Sequence, residues 1–237
     1  MNLRQWFRFA GMILLILTVV SGLAFAAPKT EADKFTGEVL VFDIKKFGLK
    51  IGAGELAYKG LVEKEAARCV LVVFTSRALN FYDEEKIFLD PQTFLPRVVE
   101  RDLNVFGSKE KITEIYDTAQ GIVRIKKNSG GKITDQTIQQ PTTLENIYGF
   151  IYRFRLRGTF QTGERIKLNL PTKTVVIEVM KKTQVTAAGQ EQTAYFLQTQ
   201  PAQYDLWFDT SERKIPLRID GAVGLKKAVL VLRSAAR

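Results

Sequence analysis

The 237-residue chain contains no histidine. That absence removes Ser-His-Asp triads, Cys-His dyads and the usual histidine-bearing zinc sites together. Hydrolysis by carboxylates alone stays open in principle, but it needs two or three acids converging in one pocket with raised pKa values. No such pair stands out by spacing, and Glu38, Glu55, Glu100 and Asp205 are arbitrary candidates. The expectation is therefore a non-enzyme with no catalytic residues, no metal and no cofactor.

Cysteine is almost as scarce. Cys69 stands alone, so no internal disulfide can form. It lies in the apolar run Arg68-Cys-Val-Leu-Val-Val-Phe, where it reads as small core filler rather than a reactive thiol. Stability must come from a hydrophobic core. A linker rich in Pro, Gly or Ser is missing too, which predicts one β-rich domain over residues 27–237.

Charge is also missing from the start of the chain after Arg8. Arg4 and Arg8 precede an uncharged stretch from Phe9 to Pro28, with the apolar block Met12 to Val20 and then Ala24-Phe25-Ala26. A positive n-region, a short apolar region and an A-x-A site describe a signal peptide over residues 1–26, cleaved after Ala26. The competing reading is an uncleaved anchor. Cys69 is too far downstream to serve as a lipid-attachment cysteine, and the two arginines are not adjacent, so neither lipoprotein processing nor twin-arginine export is indicated. The expected location is the periplasm, with no membrane span kept after cleavage.

Lys and Arg number 35 against 25 Asp and Glu; without Arg4 and Arg8 the net charge falls from +10 to +8. This balance suits an anionic partner such as lipid headgroups, a polyanionic glycan or nucleic acid. The charges are nevertheless scattered, as in the pairs Lys45-Lys46, Lys126-Lys127, Lys181-Lys182 and Lys226-Lys227, which read as solvated strand ends that discourage edge pairing. Nucleic acid is not expected for an exported chain.

What is abundant is strand signal. Apolar residues alternate in Leu49-Lys-Ile-Gly-Ala-Gly-Glu-Leu, the pattern of a half-buried strand. Gly52 and Gly54 lack the third glycine and the helix of a phosphate loop and read as a bulge or close backbone contact. Short strands recur to Lys132–Gln139, with Asn128-Ser-Gly-Gly131 as a hairpin turn. They resume at Arg165–Leu170 and include a run from Thr174 to Thr186, the Ala187-Ala-Gly189-Gln turn and a last strand to Arg233. The predicted fold is mainly β, an antiparallel meander curled into a half-open barrel or sandwich.

One helix interrupts the meander at about 142–156. Thr142-Thr-Leu-Glu145 reads as a capping box. Leu144, Ile147, Tyr148, Ile151 and Phe154 follow at helical spacing, with Tyr152, Arg153, Arg155 and Arg157 largely on the other side. The apolar face must be buried, most simply across the mouth of the curved sheet.

Two hairpins echo each other. Phe88-Leu-Asp90-Pro-Gln-Thr-Phe-Leu-Pro96-Arg97-Val matches Trp207-Phe-Asp209-Thr-Ser-Glu-Arg-Lys-Ile-Pro216-Leu-Arg218-Ile in type. Asp ends each strand by accepting from turn amides, and Pro opens the return strand where its missing N–H is not needed.

On these features the chain resembles the domain of unknown function 3108 family of bacterial periplasmic proteins. The features are Phe47-Gly-Leu-Lys-Ile-Gly-Ala-Gly-Glu-Leu, the Asp90…Pro96-Arg97 hairpin, Tyr148–Arg157 with Gly163-Glu164, the Gly189 turn, and Trp207…Pro216-Leu-Arg218-Ile followed by Gly224-Leu-Lys and Ala228-Val-Leu-Val-Leu. They span residues 35–232. The resemblance implies an exported protein whose function is unassigned. The hairpins also look like those of periplasmic lipoprotein carriers, an analogy of fold only.

The functional expectation is a binding protein for an apolar, lipid-like or glycan ligand. Its candidate ligand residues are Arg97, Tyr148, Tyr152, Arg155, Trp207 and Arg218, with Tyr204 a further rim aromatic. The alternative is an envelope assembly or scaffold protein. The space between helix and sheet discriminates. A large apolar cavity favours a carrier, an aromatic groove favours glycan, and a packed interface favours a scaffold.

Overall fold

The computed structural model describes residues 30–221 and 228–237. The signal segment with its cleavage site, and Gly224-Leu-Lys, lie outside the described residues. Among the described residues no helix is long and apolar enough to cross a membrane.

The described residues form one antiparallel sheet of 15 strands. The first arm contains β1 (Val39–Lys46), β2 (Leu49–Lys64), β3 (Ala67–Ala78), β4 (Phe81–Leu89), β5 (Pro96–Val105), β6 (Ser108–Asp117), β7 (Ile122–Ser129) and β8 (Lys132–Gln139). Helix α1 (Ile147–Arg157) follows. The second arm contains β9 (Arg165–Leu170), β10 (Lys173–Val179), β11 (Thr183–Ala187), β12 (Gln190–Gln200), β13 (Asp205–Asp209), β14 (Pro216–Asp220) and β15 (Ala228–Ala236). The arms join where β1 pairs with β15, and β8 and β9 end the path unpaired with each other. The sheet is thus a half-open barrel with one helix, as the sequence predicts.

The helix plugs the concave side. Tyr148 stacks on Phe74 at 4.6 Å, and Phe154 meets Phe160 and Phe208 at 4.4 and 6.0 Å. Helix and β4–β5 turn approach so closely at Gly149 that a Cβ there would sit 2.9 Å from the Phe94 carbonyl oxygen.

Three features differ from expectation. The helix starts at Ile147, with Asn146 as N-cap accepting from the Tyr148 N–H at 2.8 Å. Thr142 and Glu145 precede it; Glu145 bonds Arg153 and the Asn169 N–H instead of closing a capping box. The helix is also buried on two faces, because the 3₁₀ turn Glu31–Phe35 covers its second side. Phe35 and Tyr58 pack on Tyr152 at 5.1 and 4.8 Å. The run expected from Thr174 to Thr186 breaks at Met180–Lys182, where the register against β12 slips by one residue between Val179↔Leu197 and Thr183↔Ala194.

The echoed hairpins hold in detail. Asp90 accepts from the N–H groups of Gln92 and Thr93 at 3.0 and 2.9 Å. Asp209 accepts from the Ile215 N–H at 3.1 Å. Phe94 and Lys214 both take positive φ, and Pro96 and Pro216 both open strands at a register shift. Gly52 answers the close-contact reading, since a Cβ there would lie 2.1 Å from the Arg77 carbonyl oxygen.

Candidate functional site

Strand alternation puts charge on the concave face. Phe81, Asp83, Glu85 and Ile87 share the inward side of β4, and register places Arg101 of β5 opposite Glu85 and Glu114 of β6 opposite Val99. Arg101 grips the nearly buried Asp83 through Nε and Nη2 at 2.7 and 2.5 Å. Asn146 donates from Nδ2 to Glu85 Oε1 at 2.8 Å while its oxygen caps the helix, so one side chain ties the helix N-terminus to β4. Tyr116 donates to Glu114 at 2.5 Å, and Lys173 donates to Gln203 at 2.6 Å.

Of these, Glu85, Val99, Arg101, Glu114, Tyr116, Asn146, Lys173 and Gln203 line a cavity of about 420 Å³ at the N-terminal end of α1. Tyr116, Tyr148 and Tyr204 supply its aromatic surface, Glu85, Glu114 and Glu145 its carboxyls, and Val99, Ile125 and Leu170 its apolar patches. The volume falls within the range of small-molecule sites.

Burial sets the protonation here. It pushes the Glu85 carboxyl up to about 7, helped by Glu114 and Asp83 and opposed by Arg101 and the Asn146 hydrogen bond. Burial also raises Glu114 against the Tyr116 hydrogen bond, and Glu145 against the Arg153 charge. It raises all three tyrosines, so they stay neutral. A carboxyl that is protonated part of the time both donates and accepts, as a phenol does. Glu85 can therefore both donate and accept near neutral pH, and the cavity sets it beside ring faces and the basic side chains of Arg101 and Lys173.

The family profile described as protein of unknown function (DUF3108) matches residues 41–230. The chain belongs to this family. No curated protein matches this DUF3108 chain. Among solved structures it is similar to a beta-barrel-like protein of domain of unknown function DUF1849 from Brucella abortus. That similarity is 8% in identity with a TM-score of 0.49, over 85% of this chain and 97% of the other. A provisionally assigned lipoprotein from Parabacteroides distasonis is 10% identical with a TM-score of 0.28, over 85% and 95% of the two chains.

The DUF3108 chain distributes the six expected ligand residues over four places. Tyr148 lines the cavity at the helix N-terminus, as does Tyr204. Tyr152, at mid-helix, and Arg155, near the C-terminal end, lie inside the core. Arg155 holds Glu38 through two bonds of 2.6 and 2.8 Å, donates to the Arg213 carbonyl, and sits 4.3 Å from the Phe35 ring centroid. Its side chain is 0% exposed, so it clamps the helix, the segment leading into β1 and the β13–β14 turn together. Trp207 and Arg218 lie in a cleft of about 430 Å³ with Phe47. There Arg218 covers the indole at 4.8 Å and pairs with Asp220. Arg97 pairs with Asp90 beside a separate cleft that holds the buried Cys69.

The residues that build the helix-end cavity of this DUF3108 protein, Glu85, Arg101, Glu114, Glu145 and Asn146, are absent from the sequence-based candidates. A signal existed for one of them, Glu85. Phe81, Asp83, Glu85, Ile87 and Leu89 alternate strictly, which commits two acids to the face that carries the apolar residues.

Proposed function

We propose that this protein is a non-catalytic periplasmic binding protein, exported by residues 1–26, whose helix-end cavity takes a neutral, hydroxyl-rich ligand of the short-glycan class. The observation that carries the reading is the meeting of three tyrosines and three carboxyls of raised pKa around about 420 Å³. Ring faces suit the apolar side of a sugar, and the surrounding groups match its alternating donors and acceptors. An acyl chain fits less well, because entry would strip water from these polar groups without replacing its hydrogen bonds.

Binding is favoured over hydrolysis because each carboxyl already has a protein donor: Asn146 for Glu85, Tyr116 for Glu114, Arg153 for Glu145. Such partners fix an acceptor in place. Among the expected ligand residues, Tyr148 is the one retained for this site.

The test is saturation-transfer NMR of the full chain against a panel of neutral mono- and oligosaccharides, with Tyr204→Ala and Glu114→Gln alongside. Saturation transfer to one saccharide class, lost in both variants, is expected. Transfer unchanged in both variants, or release of nitrophenol from a chromogenic glycoside, would overturn the reading. Recovery of a stable envelope protein with no saccharide bound would favour the scaffold alternative.

A further inference from the structure

A second feature lies outside the cavity, on the hairpin turns at one end of the sheet. The β1–β2, β3–β4 and β5–β6 turns begin with Phe47, Leu79 and Phe106, which are 78%, 92% and 76% exposed. Each pairs its flanking strands across two residues, Lys46↔Leu49, Ala78↔Phe81 and Val105↔Ser108. Each also takes positive φ, at 52°, 45° and 52°. A bulky residue in the left-handed region is strained, and Asn, Asp or Gly would fill such a turn position at less cost. Strain and exposure therefore recur together, three times, on large apolar side chains.

The turns are held as a row. Alternate hairpins are two strands apart, so adjacent tips lie about 10 Å from one another. The Phe106 N–H donates to the Asn80 carbonyl at 2.8 Å and ties two of them together. Leu49 and Ile133, on the first hairpin and the β7–β8 hairpin, add exposed apolar surface at the same end. Of the six exposed large apolar residues among the described ones, only Ile115 lies toward the opposite end.

Charge divides the two ends in the same way. Within three positions of the four first-arm turns at this end stand seven cations and two acids. One of those acids, Asp83, is closed off by Arg101, and the other, Glu110, is paired with Lys127. Lys45, Lys46, Arg77, Lys109 and Lys132 form no ion pair among the described residues. The turns at the opposite end of β2 to β7 carry four acids and four cations over the same windows.

Apolar side chains projecting from a rigid arc of tips, ringed by cations most of which have no carboxylate partner, match the boundary of an anionic bilayer, where each class of group finds its own layer. We propose that this end of the sheet docks on an anionic lipid surface, with Phe47, Leu79 and Phe106 entering the interface. The strain at the three turns is then the cost of presenting apolar side chains at the outermost point. The docking proposal stands independently of the glycan reading, although the turns at Thr172 and Gln203 that frame the cavity lie at the same end.

The experiment places an environment-sensitive dye on Leu79→Cys or Ile115→Cys of the full chain, in a Cys69→Ser background. Every sample then carries the same N-terminal segment. Vesicles are phosphatidylcholine alone or phosphatidylcholine mixed with phosphatidylglycerol. The expected result is a blue shift at position 79 with the anionic vesicles only, reversed by salt, and none at position 115. Removing one of the lysines should weaken the partition about fivefold. Adding Phe47→Asn and Phe106→Asn should abolish the shift while the unfolding midpoint holds or rises, because Asn suits the turn. An equal shift at both positions, no shift at position 79, or a shift that tracks protein concentration without vesicles would overturn the proposal. The last outcome would identify a self-association face.

Discussion

Replacing Glu85 with Gln separates the pH dependence of this fold from its packing. Glu85 has an ordinary value of 4.5 and is pushed up to about 7 by burial at the cavity floor. Between those values the folded chain keeps a proton that the unfolded chain has released. Because the folded state binds more protons, its stability falls as pH rises through this window and is level above about 7. A tenfold change in proton affinity corresponds to about 1.36 kcal/mol. With some solvent reaching the carboxyl, the loss comes to about 2–3 kcal/mol. Gln keeps an acceptor for Asn146 and carries no charge to desolvate. Urea unfolding followed by tryptophan emission at pH 5 to 8 measures the difference. The Gln variant should gain about 2–3 kcal/mol on the wild type across that range, while both retain the smaller slope that the raised Glu114 and Glu145 impose. Parallel stability curves would show instead that burial does not hold a proton on Glu85.

Further consequences follow from the packing around the helix. Arg155→Met leaves Glu38 buried with only the more exposed Arg213 as partner, and should cost about 3–5 kcal/mol in denaturant unfolding, whereas Glu38→Leu with Arg155→Met should recover most of the loss. Gly149→Ala drives a methyl against the Phe94 carbonyl and should cost about 1–3 kcal/mol by the same assay. Asp90 is pushed up by burial but held down at about 2 by the Thr93 and Gln92 amides and Arg97. Its contribution is present above 3.8 and fades as pH falls through about 2, so Asp90→Asn should flatten the acid limb of the unfolding curve.

The parts of this structure that were legible in the sequence are those decided by neighbours in the chain. Asp90 and Pro96, and Asp209 and Pro216, lie within seven residues of each other and specify their hairpins by turn chemistry alone. The helix was visible in its apolar spacing, but its start was not. Asn146 is held as the cap by Glu85, 61 residues earlier, while the sequence around Thr142 offers an equally good capping pattern. Arg155 read as a ligand-facing cation because its partner Glu38 is 117 residues away. The cavity acids were hidden for a related reason. Alternation fixes which residues share a face, but it cannot say that β4, β5 and β6 turn theirs toward one helix end.

The most direct test of the proposed binding role is a crystal structure of the full chain with the saccharide that gives the strongest NMR response. Ligand density is expected in the cavity at the helix N-terminus, against Tyr148 and Tyr204 and within hydrogen-bonding reach of Glu85 or Glu114. An empty cavity with the ligand elsewhere, or an extended alkyl chain filling it, would contradict a glycan-binding role.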